Sequence, residues 1–230
     1  MPKTGRKPAD ETAPAYLGIY LFCYPVYALG PGRRVGLWTR GCSIRCEGCV
    51  SGDAWSFGGS EPADVDELSG RIRDIFKNES PDGLSISGGE PFDQSAPLIR
   101  LLRNLSVSGI RDILIFTGYR IGDITARHAE ISELAAAVVD GPFEKGNDTE
   151  ACWKGSANQT LTLFRPEFAE RYSRWIAAKK GRLQIFSDER GVFVIGVPRQ
   201  KDVQKIREWR EFSPMAEKRA IPGAGEEFQV

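Results

Sequence analysis

Between Val35 and Asp140, short runs of aliphatic and β-branched residues alternate with segments whose apolar residues recur at helical spacing. This alternation restricts the fold more than any other feature of the chain. VGLWTR (35–40), GLSIS (83–87), DILIF (112–116) and AAVVD (136–140) predict strands. Pro62, followed by acidic residues, opens a helical segment with Val65, Leu68, Ile72, Ile75 and Phe76 on one face; Leu98, Leu101, Leu102 and Leu105 mark a second, and a third runs to Leu134. Parallel neighbours need crossover connections, so the pattern predicts an α/β fold: a parallel sheet with helices outside and ligands at the carboxyl ends of its strands. After Phe164 the pattern changes to a helical segment (166–180), then RLQIFS and VFVIGV around Asp188-Glu189-Arg190-Gly191, a hairpin signal, and a last helix over 202–212. The expected division is a mobile tail (1–14), a main domain (15–164) and an extension packed on it (165–230), frayed from Ala220 onward.

Charge and hydropathy narrow the class. Thirty-one basic residues balance thirty-one acidic ones, so no overall field recruits nucleic acid or an anionic membrane surface. The longest apolar stretch, Ala15 to Leu29, contains Gly18 and Pro25 and is too short to span a bilayer. Its tyrosines and its proline also argue against a secretory signal, so a cytoplasmic protein is expected. The five cysteines are odd in number, with three crowded into eight positions, unlike the disulfide framework of a small secreted domain.

That crowding is the C-x3-C-x2-C triplet Cys42, Cys46 and Cys49, flanked by Gly41 and Gly48. Thiolates so spaced can converge on one soft metal centre. Zinc sites close with four protein ligands, and no nearby fourth cysteine or histidine completes one; the lone histidine, His128, falls on a predicted helix. Three ligands on a four-iron cube leave one iron open to an exogenous ligand, a catalytic arrangement. The plain alternative is a set of free surface thiols, which oxidise readily without a metal. Cys23 and Cys152 read as small buried hydrophobes.

The triplet resembles the cluster loop of the radical S-adenosylmethionine (SAM) superfamily, and the resemblance continues downstream. SGGEP (87–91) stands where that superfamily places its GGE motif, whose backbone and acidic side chain hold the amino group of SAM. LGPGRRVGLWTRGC, GLSISGGEP, FTGYR, VVDGPFE and WKGSANQ, in this order, are similar to the activating enzymes of anaerobic ribonucleotide reductase, over about residues 16–164. The resemblance implies a partial, open β/α barrel, here with a C-terminal helix–hairpin–helix extension. It implies a [4Fe–4S] cluster on Cys42, Cys46 and Cys49, and SAM held by Ser87, Gly88, Gly89 and Glu90. Asp140, Lys154, Ser156 and Asn158 become candidates for its methionyl end. Many superfamily members carry an aromatic residue just before the third cysteine; here it is Gly48, and Tyr119 is the candidate for the adenine contact.

The implied activity is an oxidoreductase-type reaction under anaerobic conditions, in which one electron cleaves SAM to methionine and a 5′-deoxyadenosyl radical. Cofactor and cluster carry that chemistry, so no catalytic side chain is expected. The implied partners are a glycyl radical enzyme, or another protein or peptide substrate, and a one-electron reductant such as flavodoxin or ferredoxin. Two alternatives stand beside glycyl radical installation: a radical SAM enzyme acting on a small molecule or peptide, and a non-enzymatic iron–sulfur or zinc binding module. The activating enzymes resembled are typically compact and end near the position of Phe164, so the extension either caps the open edge or shapes another substrate site.

Overall fold

The computed structural model describes residues 15–59, 62–179 and 182–212; the expected tail (1–14) and frayed end (from Ala220) lie outside the described residues. A six-stranded sheet organises the chain, in the order β2 (Ile19–Val26), β3 (Arg34–Thr39), β5 (Gly83–Gly88), β6 (Ile113–Phe116), β7 (Ala137–Asp140) and β8 (Thr160–Leu163), counting β1 (Tyr16–Leu17) and β4 (Ala63–Asp64) as a small separate pair. The central four run parallel, as the alternation requires. Both outer strands run antiparallel, β2 beside β3 and β8 beside β7, so the sheet is mixed rather than all parallel. The sequence pattern marks neither outer strand, because direction of pairing is not written in local periodicity.

Helices α1 (Val65–Glu79), α2 (Ser95–Val107), α3 (Ile121–Arg127) and α4 (Ile131–Leu134) cover one face. Asp64 caps α1, its carboxylate accepting from the backbone N–H groups of Asp66 and Glu67, so the helix begins just after Pro62 as expected. Leu68 and Ile72 of α1 and Leu98, Leu101, Leu102 and Leu105 of α2 are buried against Val35, Leu37, Leu84, Ile86, Ile113, Ile115 and Val138 of the strands. The helical segment expected to reach Leu134 is two helices, broken at His128, which ends α3 and stacks its ring on Phe92 at 6.3 Å.

The other face carries the residues that follow β8. The 166–180 segment is a 3-10 turn and then α5 (Ala169–Ile176). Tyr172 of α5 is fully buried against Leu114, Ala137 and Val139. The strands β9 (Gln184–Asp188) and β10 (Gly191–Ile195) pair antiparallel around a two-residue turn. Phe193 and Ile195 pack on Leu21, Cys23, Val26, Leu29 and Trp38 of the β2–β3 side. α6 (Gln200–Phe212) follows.

A buried polar network ties α5 to the amino ends of the parallel strands. Arg34, with no exposed surface, donates to Asp112 at 3.1 Å, to Ser85 Oγ at 2.7 Å and to the carbonyls of Pro31 and Leu84. The second Asp112 oxygen accepts from Arg171 at 2.9 Å, and the first also accepts from Tyr172 Oη at 2.8 Å. Burial raises the Tyr172 hydroxyl well above the ordinary tyrosine range, so it remains a donor at any working pH.

Candidate functional site

The cysteine loop leaves the carboxyl end of β3. Gly41 N–H donates to Ala54 O at 2.7 Å and Cys42 N–H to Trp55 O at 3.1 Å, which folds the loop back on itself. Within it, Cys49 N–H donates to Cys46 O, and Arg45 takes a positive φ of 50°, placing its N–H 3.4 Å from Cys42 Sγ. All three cysteines line one cavity. Among the described residues, no three His, Cys, Asp or Glu side chains close on one point as a single ion would require. Burial is the largest cause raising the Cys42 and Cys49 thiols above their ordinary value, and for Cys49 the neighbouring Cys46 and Cys42 add to it. Metal binding here must therefore displace thiol protons.

The SGGEP turn knits onto this loop from the next strand. Gly89 N–H donates to Thr39 O at 2.8 Å and Glu90 N–H to Gly41 O at 2.7 Å. A Cβ on Gly89 would sit 2.0 Å from Gly41 O, so no side chain fits between the two turns. Ser87, Gly88, Gly89 and Glu90 all line the cavity with the cysteines, as do Thr117 and Gly118 after β6 and Gly141 after β7. The site thus gathers the carboxyl ends of all four parallel strands, where the fold class puts ligands.

Glu90 is 1% exposed. Its Oε1 accepts from Phe92 N–H at 3.0 Å and Thr117 Oγ1 at 2.7 Å, and its Oε2 from Gly118 N–H at 2.7 Å. The side chain clasps β5 to β6 and keeps one lone pair on Oε2 for another donor. Burial, outweighing those donors, pushes its carboxyl up to about 7. A carboxyl whose folded value exceeds its unfolded one binds more protons folded than unfolded, so stability falls as pH rises from about 4.5 to about 7 and is level beyond. The expected loss is on the order of 3 kcal/mol in the metal-free chain. Melting temperatures from pH 5 to 8 should show this slope, and Glu90→Gln should flatten it; parallel profiles would contradict the assignment.

The remaining predicted residues stand behind the cavity wall instead of on it. Tyr119 donates to Asp93 at 2.7 Å and lies 3.0 Å from Ser43 Oγ, its ring against the helix-side core. Asp140 is buried, accepting from Ile121 N–H at the start of α3 and from the Thr160 hydroxyl. Lys154 donates to the carbonyls of Ala157 and Gln159 and sits 4.8 Å from the Trp153 ring. Ser156 donates to Asn158 Oδ1 and accepts from Glu144 N–H, while Asn158 donates to Pro142 O. Ser156 and Asn158 thus hold the 141–144 and 154–159 segments together, Lys154 closes the second segment on itself, and Asp140 ties the end of β7 to α3 and β8.

What that scaffold presents to the cavity is a set the sequence reading passed over: Phe143, Gly155 and Gln159. Gln159 Oε1 accepts from Gly155 N–H and its Nε2 donates to Gly141 O. Gly48 has φ of +78°, and a Cβ there would lie 3.6 Å from the Phe143 ring. An aromatic ring thus does stand beside the third cysteine, supplied by the VVDGPFE segment. Trp153 is both packed in the core and part of the cavity wall. The larger omission is the stretch Phe193–Pro198, which lines the cavity together with Gln200 and Val203.

Three soft thiol donors on one loop, and glycine turns that bring backbone close to them, suit an iron–sulfur cube with a small ligand beside it. A model of the 4Fe-4S single cluster domain family matches residues 28–162. The anaerobic ribonucleoside-triphosphate reductase-activating protein of Escherichia coli is 30% identical over 150 residues, covering 62% of this chain and 96% of the relative. Those of Salmonella typhi (31% over 148 residues, 62% and 96%) and Haemophilus influenzae (28% over 155 residues, 64% and 98%) align as completely. No helix among the described residues is long and apolar enough to cross a membrane. Matched over more than half its length, with its cysteine triplet and glycine turn facing one cavity, the chain belongs to the 4Fe-4S single cluster domain family and resembles the radical SAM activases.

Proposed function

We propose that the chain is a radical SAM enzyme that installs a glycyl radical on a partner enzyme such as an anaerobic ribonucleotide reductase. The observation that carries this is the meeting of Cys42, Cys46 and Cys49 with Gly88, Gly89 and Glu90 on one cavity wall, through backbone contacts that exclude any side chain at Gly89. In this reading the three thiolates hold a [4Fe–4S] cluster, and the Ser87–Glu90 turn holds the amino group of SAM. When both are bound and one electron arrives, they supply reductive cleavage of SAM to methionine and a 5′-deoxyadenosyl radical. The chain's part is to bind, orient and exclude water. Glu90 offers its remaining lone pair to an ammonium, and Phe143, in place of Tyr119, offers a flat apolar surface beside the third cysteine. Asp140, Lys154, Ser156 and Asn158 act through the loops they brace.

In this reading the six-stranded sheet serves as the open barrel, residues 15–164 as the cofactor domain and residues from 165 onward as an extension packed on it. The electron comes from a small carrier such as flavodoxin or ferredoxin, and five cysteines, odd in number and unlike a disulfide framework, support a cytoplasmic location. A second reading, modification of a small molecule or another peptide, draws support from the apolar wall that Phe193–Pro198 adds to the cavity.

Reconstituted anaerobically with iron and sulfide, reduced and given SAM, the protein should release 5′-deoxyadenosine slowly even alone. With a purified glycyl radical enzyme present, an electron paramagnetic resonance doublet should grow on the partner. Iron uptake with no 5′-deoxyadenosine would contradict the proposal and favour a binding module.

A further inference from the structure

Side chains alternate between the two faces of a strand, so a strand seen face-on offers every second residue to a cavity. β10 and its continuation do otherwise: Phe193, Val194, Ile195, Gly196, Val197 and Pro198 all line the cavity in unbroken succession. Consecutive residues meet one space only when the backbone edge is turned toward it. Among the described residues β10 has a single strand partner, β9. Its register fixes which groups are left over. The pair closing a two-residue turn, Asp188 with Gly191, is hydrogen-bonded, so the alternate pairs Val192–Ser187 and Val194–Ile185 turn their N–H and C=O groups outward. Val194 therefore aims a backbone donor and acceptor off the free edge toward a cavity whose other walls include Trp38, Phe116 and Trp153.

The edge is held in place rather than loosely laid there. Gln184 bridges Pro25 O and Tyr27 N–H on one flank of the hairpin, and Arg190 donates to Tyr20 O at 3.0 Å near its turn. Beyond β10, Gln200 accepts from Gly146 N–H at 2.8 Å and donates to Glu144 O, fastening the segment to the loop after β7. Charge narrows the occupant. Of the described residues lining the cavity, Asp53 and Glu90 are acidic and none is Lys, Arg or His. A nucleotide or other polyanion has no cation to meet there.

We propose that the free edge of β10 binds an uncharged, extended polypeptide segment of a partner protein as an added strand, and so delivers it along the cavity toward the cysteine loop. Main-chain hydrogen bonds to an exposed strand edge give affinity, and flanking apolar pockets give selectivity, in the usual manner of strand addition. The inference deepens the radical SAM reading by naming the form in which the target enters: a locally unfolded strand, not a folded surface and not a free nucleotide.

The test uses the full-length, iron-reconstituted protein and amide hydrogen exchange. The probes are a capped heptapeptide of serine and valine around a central glycine, the same peptide N-methylated at alternate residues in each of the two phases, and adenosine triphosphate. The capped peptide at millimolar concentration should slow exchange at Val192 and Val194, one N-methylated phase should fail to, and the nucleotide should have no effect there. Val194→Pro removes an outward donor without touching the β9 ladder, since proline is tolerated where its nitrogen faces away from the partner strand. It should weaken the capped peptide by roughly fivefold, the loss of about one main-chain hydrogen bond, with Phe193 still protected by β9. Unchanged exchange at β10 in saturating peptide, equal binding by both N-methylated phases, equal protection by the nucleotide, or undiminished affinity in Val194→Pro would each overturn the proposal. Because the readout is binding, a protein that cleaves SAM but shows no such protection sinks this inference alone, and one that shows protection but never cleaves SAM sinks the enzymatic reading alone.

Discussion

Replacing any one of Cys42, Cys46 or Cys49 by alanine should leave the reconstituted protein without its cluster, while Cys23→Ala and Cys152→Ala should retain about four irons and four sulfides per chain. The contrast follows from position. The first three thiols line the cavity from a single loop. Cys23 lies outside the cavity lining, buried among Leu21, Val26 and Trp38, where burial pushes its thiol up to about 12. Cys152 is half-buried with its Sγ 3.1 Å from Trp175 O. Losing either should cost packing, about 1–2 kcal/mol, rather than iron. Iron and sulfide analysis of the six proteins decides it: equal loss from all five variants, or stoichiometric zinc with no iron uptake by the parent, would contradict the assignment.

The largest effect on stability should come from Asp112→Ala, about 3–5 kcal/mol. Its carboxylate is the meeting point of Arg34, Arg171 and Tyr172, and Arg34 has no exposed surface through which water could replace it. Removing the acid leaves a buried guanidinium uncompensated and a buried hydroxyl without its acceptor, which is costlier than losing the pair together. Since Tyr172 and Arg171 belong to α5, the variant should also free α5 from the sheet before the cysteine end unfolds. Urea unfolding gives the first quantity, and hydrogen exchange at α5 against α2 gives the second. A change under about 1 kcal/mol would mean that the network is wetter than its burial indicates.

The fold was legible where burial imposes a period and illegible where only pairing direction matters. α1 and α2 announce themselves because one stripe of each must face the sheet, and Leu68, Ile72, Leu98 and Leu102 mark it. β3, β5, β6 and β7 are buried on both faces and so read as continuous apolar runs. β2 lies inside the stretch Ala15–Leu29, which in sequence says only that it is too short for a membrane. Its buried positions Leu21, Cys23 and Val26 follow the face that the hairpin covers, and that partner lies more than 150 residues away. β8, TLTL, is short and only partly buried, too weak a signal to distinguish from a loop.

The site divides similarly. Cysteine spacing and the double glycine are local constraints, visible without the fold. Asp140, Ser156 and Asn158 look functional in sequence because short polar side chains at strand ends can serve a ligand or the backbone equally well; here backbone and neighbouring side chains take them. Phe143 and Gln159 were within reach, since each lies in the same short segment as a residue singled out, but nothing local says which side chain of such a segment turns to the cavity. The contribution of Val194 could not be read at all, because an edge exists only after its strand has found, or failed to find, neighbours.

The direction of β8 sets where the rest of the chain begins. It starts opposite Asp140, at the cysteine end, and finishes opposite Ala137, at the far end. The chain after Leu163 therefore departs from the amino ends of the parallel strands, where Arg171 meets Asp82 and Asp112, and Phe193–Pro198 reach the cavity at their carboxyl ends. The extension is thereby tied at both ends of the parallel strands, by Arg171 and Tyr172 where the strands begin and by Phe193–Pro198 where they end, so that one appended segment braces the sheet along its whole length.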